Sequence, residues 1–139
     1  MDSFTRRYLY LLGALLLIVL LVWLAGRDGR VGDLNAQLAD DPLLADYPYG
    51  FRVLEINNGV ATMTSPRSAQ VSVMQFLYAA FPALRGKDVQ HPEMVAAQER
   101  LAALQSRASG LVQAHPEVNR VRWQLDERWL REHGVILQP

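Results

Sequence analysis

The chain has 139 residues, with 14 basic and 14 acidic side chains, 50% hydrophobic residues and no cysteine. Balanced charge without a basic run excludes nucleic acid as an expected partner. The missing cysteine excludes disulfides, thiolate nucleophiles, zinc fingers and iron–sulfur clusters.

The first element is Tyr8 to Gly26, nineteen residues without a charge, twelve of them Leu, Ile or Val. At about 1.5 Å per residue they span roughly 28 Å as a helix, close to the hydrocarbon thickness of a bilayer. Tyr8 and Tyr10 near one end and Trp23 near the other suit the two membrane interfaces. Arg6, Arg7 and Arg27 bound the run. A soluble domain this small has little with which to cover an all-round apolar cylinder. Cleavage as a signal peptide is disfavoured, because Trp23 and Leu24 stand where small residues are needed. The expected partner of this segment is therefore the lipid bilayer, which it crosses once as an uncleaved anchor. Gly13 and Ala14 make no G-x-x-x-G face.

The basic residues nearest the two ends tie, Arg6 and Arg7 against Arg27 and Arg30. The amino terminus adds charge to the first side, and long C-terminal domains translocate largely regardless of charge. The expected arrangement is residues 1–7 as a short cytoplasmic tail, 8–26 as the anchor, 27–49 as a tether and 50–139 as one extracytoplasmic domain. Thirteen of the 14 basic residues are arginine. That bias points to GC-rich coding and a bacterial source, and so to an inner-membrane anchor with a periplasmic domain.

In the tether, Gly26, Gly29 and Gly32 are spaced G-x-x-G-x-x-G, unlike the dinucleotide fingerprint, and no strand precedes them. Asp33 is placed to cap a short helix with Leu34 and Leu38 one turn apart, ended by Asp40-Asp41-Pro42. Tyr47-Pro48-Tyr49 reads as an extended lead-in packed on the domain. Asn58-Gly59 is the preferred pair for a type I′ turn. It sets Asn57 opposite Val60, Ile56 opposite Ala61, Glu55 opposite Thr62 and Leu54 opposite Met63. Leu54, Ile56, Ala61 and Met63 then share the buried face of a hairpin.

Ser65-Pro66 matches a helix start, with an apolar stripe of Val73, Phe76, Leu77, Ala80 and Phe81 ending at Pro82. A longer helix is expected from Pro92 to Ala114, with Met94, Ala97, Leu101, Leu104, Ala108 and Leu111 along one side. Val121, Trp123 and Leu125 alternate with Arg120, Arg122 and Gln124, which predicts a third strand. Asp126 is placed to cap a short helix through His133, stopped by Gly134, and Val135 to Leu137 is a candidate edge strand. The predicted fold is a single-pass membrane helix followed by a small α+β domain: a hairpin, two helices, a third antiparallel strand and a short C-terminal helix. Its expected core comprises Leu54, Ile56, Met63, Phe76, Leu77, Leu101, Leu104, Trp123 and Leu125.

Chemistry-bearing motifs are sparse. His91-Pro92-Glu93 and His115-Pro116-Glu117 repeat a triplet, but a helix between them separates the histidines by roughly 36 Å, too far to share a metal. The triplets read as helix-boundary chemistry. His133 suits a helix C-terminus, Asp126-Glu127 a cap with an acidic first turn, and Asp40-Asp41 falls short of a calcium loop. No P-loop, H-E-x-x-H, EF-hand or G-x-S-x-G spacing is present. No catalytic, cofactor-binding or metal-binding residue is assigned and no cofactor is expected. The expected function is a non-catalytic accessory, assembly or scaffolding subunit of an envelope complex, with another membrane or envelope protein as partner. The alternative is a tethered hydrolase or small-ligand binder whose site is assembled in space, and its test is a pocket holding two or more of His91, His115, His133, Asp126 and Glu127.

Overall fold

The computed structural model describes residues 2–25 and 29–137. Helix α1 runs over Ser3–Ala25. Asp2 closes its first turn, accepting hydrogen bonds from the Thr5 amide at 2.9 Å and the Thr5 hydroxyl at 2.6 Å. Residues expected in a tail are therefore helical, and Arg6 and Arg7 lie within α1. Their side chains and those of Tyr8, Tyr10 and Trp23 are exposed. Arg27 lies outside the described residues. The 23 residues of α1 rise about 34 Å, so this helix is long and apolar enough to cross a membrane.

The rest of the described chain is an α+β unit. Helices α2 (Gly29–Asp40) and α3 (Pro42–Ala45) come first, then β1 (Val53–Asn57) and β2 (Val60–Ser65). Helix α4 (Val73–Ala80) leads through a short 3₁₀ turn to α5 (Pro92–Gln113), β3 (Arg120–Leu125) and α6 (Glu127–Glu132). The sheet order is β1-β2-β3.

The hairpin turn is as the sequence predicts. Asn58 and Gly59 have φ of 52° and 79°, and Asn57, Ile56 and Glu55 face Val60, Ala61 and Thr62. The next step departs: Val53, not Leu54, faces Met63, because a bulge lies between Val53 and Glu55. The extra residue turns Leu54 outward, 42% exposed, and seats Val53 in the core at 2%. Leu54 is therefore not a core residue.

Strand β3 alternates as predicted but runs parallel to β2, from Val60 opposite Arg120 to Ser65 opposite Leu125. The sheet is mixed, not antiparallel. The reason is the connection: α4 and α5 carry the chain back to the hairpin turn, where the Asn119 and Arg120 amides both donate to the Gly59 carbonyl. A Cβ on Gly59 would collide with the Asn119 side-chain amide, so this glycine is required by space as well as by φ.

Ser65 does not start a helix. It ends β2, its carbonyl accepts from the Asp126 amide, and its hydroxyl donates to the Arg67 carbonyl. The cap of α4 is Ser72, whose hydroxyl accepts from the Met74 amide at 3.1 Å. Val135 to Leu137 forms no strand, and Ile136 is 85% exposed.

The segment read as a tether also belongs to the core where it is described. Leu34, Leu38, Leu44, Tyr47 and Tyr49 are buried there with Ile56, Met63, Phe76, Leu77, Leu101 and Leu104. Trp123 and Leu125 pack on the same cluster, half-buried at the sheet's edge. Edge-on ring contacts run from Phe51 to Tyr49, and from Tyr49 to Phe76 and Trp129. Asp41 joins two helices: it caps α3 through the Leu43 and Leu44 amides and receives a two-pronged hydrogen bond from Arg107 of α5.

Candidate interaction surface

The helices cover the sheet face that carries Val53, Ile56, Ala61, Met63, Val121, Trp123 and Leu125. The other face carries Glu55, Thr62 and Arg122 on one rung, with Asn57, Val60 and Arg120 beside it. On that face Glu55, Arg120, Arg122 and Gln124 are exposed. Among the described residues, Arg120 and Arg122 have no carboxylate partner. Arg52 stands nearby, 3.7 Å from Asp126 and largely exposed.

The two sheet edges differ. On β1, Asn35 of α2 accepts from the Val53 amide at 2.7 Å and donates to the Val53 carbonyl at 3.0 Å. One side chain thus occupies the outward groups of Val53, which a neighbouring strand would use. On β3, the amides of Arg120 and Asp126 bond inward to the carbonyls of Gly59 and Ser65. Backbone groups alternate along a strand, so Arg122 and Gln124 also face β2, and Val121, Trp123 and Leu125 point theirs outward. Among the described residues nothing bonds to those outward groups. An edge of this kind is a template for another chain.

Asp126 follows β3 directly and ties the sheet to the aromatic core. Its Oδ2 accepts from the Tyr49 hydroxyl at 2.9 Å, and its Oδ1 accepts from the Trp129 amide at 3.1 Å, capping α6. Burial, with the Asp126 charge beside it, holds the Tyr49 phenol above its ordinary range. Tyr47 contrasts: its hydroxyl is buried with no hydrogen-bond partner among the described residues, and burial pushes its pKa up to about 12. The Arg100 guanidinium lies 5.1 Å from the centre of its ring.

The histidines stand apart, two in local turns and one in a ring stack. His91 Nδ1 accepts from the Glu93 amide at 3.2 Å, and His115 Nδ1 accepts from the Glu117 amide at 3.1 Å. The two triplets thus make the same local turn at opposite ends of α5. His133 stacks on Trp129 with ring centres 3.8 Å apart. A cleft of about 720 Å³ is lined by Gln70, Gln75, Glu127 and Arg131, and a smaller one of about 300 Å³ by Tyr78, Arg85 and His133. Neither brings together two of His91, His115, His133, Asp126 and Glu127. Among the described residues no group of three His, Asp or Glu side chains could hold a metal. Asp41, the better placed of the Asp40-Asp41 pair, is already engaged by Arg107.

Sequence reasoning missed the open edge and the Tyr49–Asp126 link. The alternation in β3 marked the strand, but edge status follows from strand order, which alternation does not carry. Comparison of the chain with protein-family models, with curated proteins and with solved structures returned no match.

Proposed function

We propose that this chain is a non-catalytic accessory or scaffolding subunit that holds a docking domain at a membrane. The observation that carries the reading is α1, a 23-residue helix without a charge beyond Arg7 and with every described side chain exposed. Exposing so much apolar surface to water is unfavourable by about 25 cal/mol per Å², so α1 needs an apolar surrounding. In the proposed setting, a bacterial inner membrane, the N-terminus lies in the cytoplasm and the α+β unit lies in the periplasm. The arginine bias supports the source, and the ease with which long C-terminal domains translocate supports the orientation.

The rival reading, a tethered hydrolase or small-ligand binder, draws on the cleft beside Glu127 and Arg131. Those two side chains already pair with each other at 3.1 Å, and the three histidines serve two turns and a ring stack. The test joins alkaline phosphatase and, separately, a fluorescent protein active only in the cytoplasm to Pro139. Phosphatase activity without fluorescence is expected, from a protein that resists alkaline extraction from membranes. Fluorescence alone would overturn the orientation, and release into the soluble fraction would overturn the anchor.

A further inference from the structure

We propose that the open edge of β3 receives an acidic, strand-forming segment of a partner protein as the fourth strand of the sheet. The inference rests on the docking-subunit reading and names the partner's chemistry. Main-chain bonds to Val121, Trp123 and Leu125 would hold the segment over a six-residue edge about 20 Å long. Side chains would set its pattern. On the face that carries Glu55 and Gln124 the segment lies beside Arg120 and Arg122, two exposed cations at alternate positions without a carboxylate partner among the described residues. Carboxylates at alternate positions of the incoming strand match them. On the other face the segment lies beside Val121, Trp123 and Leu125, which are half-buried because the core ends there. Apolar residues between the carboxylates would extend that core.

A second copy of this chain fits poorly. Two β3 strands paired about Val121 set Arg120 against Arg122, and like charges across strands repel; paired about Trp123 they leave Arg122 opposite Gln124, without a carboxylate. Pairing β3 with β1 of another copy meets Asn35, which already holds the Val53 amide and carbonyl.

The test uses the full-length chain in detergent micelles and three synthetic peptides. The first alternates glutamate with valine, the second replaces each glutamate with lysine, and the third is the first with N-methyl groups on its bonding edge. The glutamate peptide should slow amide hydrogen exchange at Val121, Trp123 and Leu125 and bind at least about tenfold tighter than the lysine peptide. The double variant Arg120→Glu, Arg122→Glu should reverse that preference, and the single variant Arg122→Glu should weaken it. Both sites are exposed, and an unchanged near-ultraviolet circular dichroism spectrum shows that the fold is intact. The proposal is overturned by unchanged exchange at the three amides or by a preference that survives charge reversal. Equal binding of the N-methylated peptide also overturns it, by revealing a charge contact of the kind any anionic surface makes. Protection of the three amides in the chain alone, together with a dimer by light scattering, overturns it in favour of a second copy. Alkaline extraction of the wild-type chain reports on the anchor alone, so failure of the anchor and failure of the edge remain distinguishable.

Discussion

Removing the hydroxyl oxygen should destabilise the fold at Tyr49 and not at Tyr47. Both rings are buried in one aromatic cluster, at 6% and 1% exposure, so Phe fills either site without a large cavity. In Tyr49→Phe, Asp126 loses a donor at 2.9 Å. A hydrogen bond to a charged group contributes about 1.5–3 kcal/mol. Asp126 keeps the Trp129 amide on its other oxygen, and Arg52 is 3.7 Å away, so the expected loss is about 1–2 kcal/mol. In Tyr47→Phe, a hydroxyl without a partner among the described residues is removed, which relieves a desolvation cost of about 1–3 kcal/mol. A slightly looser fit offsets part of that gain, so the variant should equal the parent or exceed it by up to about 1 kcal/mol. Urea denaturation of the full chain in mild detergent, followed by near-ultraviolet circular dichroism, measures both variants under one condition. Destabilisation by Tyr47→Phe of more than about 1 kcal/mol would mean that its hydroxyl has a partner, and would refute the reasoning.

Gly59→Val should destabilise by at least about 1–2 kcal/mol, since a β-branched residue resists a φ of 79° and its Cβ would strike Asn119; an unchanged melting temperature would place the strain elsewhere. Leu104→Ala should cost about 2–5 kcal/mol, whereas Leu54→Ala at the bulge should cost under about 1 kcal/mol, a contrast thermal melts resolve. The hydrogen bonds from Arg107 hold the Asp41 carboxyl below its ordinary range, so its contribution is present above about pH 4 and is lost as pH falls through the lowered folded-state value; Arg107→Ala should make the acid-side stability curve shallower. Burial raises Tyr47, so its contribution is complete below about pH 10 and is lost as pH rises towards about 12; Tyr47→Phe should flatten that alkaline decline in the same titration.

What the sequence made legible was local. Asn58-Gly59 implied the turn and three rungs of register, because a two-residue turn leaves no freedom there. The fourth rung failed at Leu54, since a bulge preserves composition and shifts only the count. Ser65-Pro66 reads locally as a helix start, and only its pairing with Leu125, on a strand 60 positions later, keeps Ser65 in β2 and leaves the cap to Ser72. Alternation in β3 is the same for parallel and antiparallel pairing, so its direction was not readable. The glycines and charges after Arg27 suggested a tether. Leu34 and Leu38, noticed as a stacked pair, were the sign that α2 had a face to bury. The candidate edge was the least legible feature, because it depends on which strand ends the sheet and on one asparagine bonding Val53 at the other side.

The parallel register of β3 also governs when the fold can close as the chain emerges during synthesis. Hairpin β1–β2 is local, but a two-stranded hairpin alone is marginal in water. Its third strand, and the Asp126 carboxylate that Tyr49 reaches across 77 positions, come only near the end of the chain. Closing so long a loop costs entropy before any contact returns it. The three-stranded sheet therefore cannot form until β3 has been made. A truncation ahead of Arg120 leaves every upstream element present yet without the strand that locks them together.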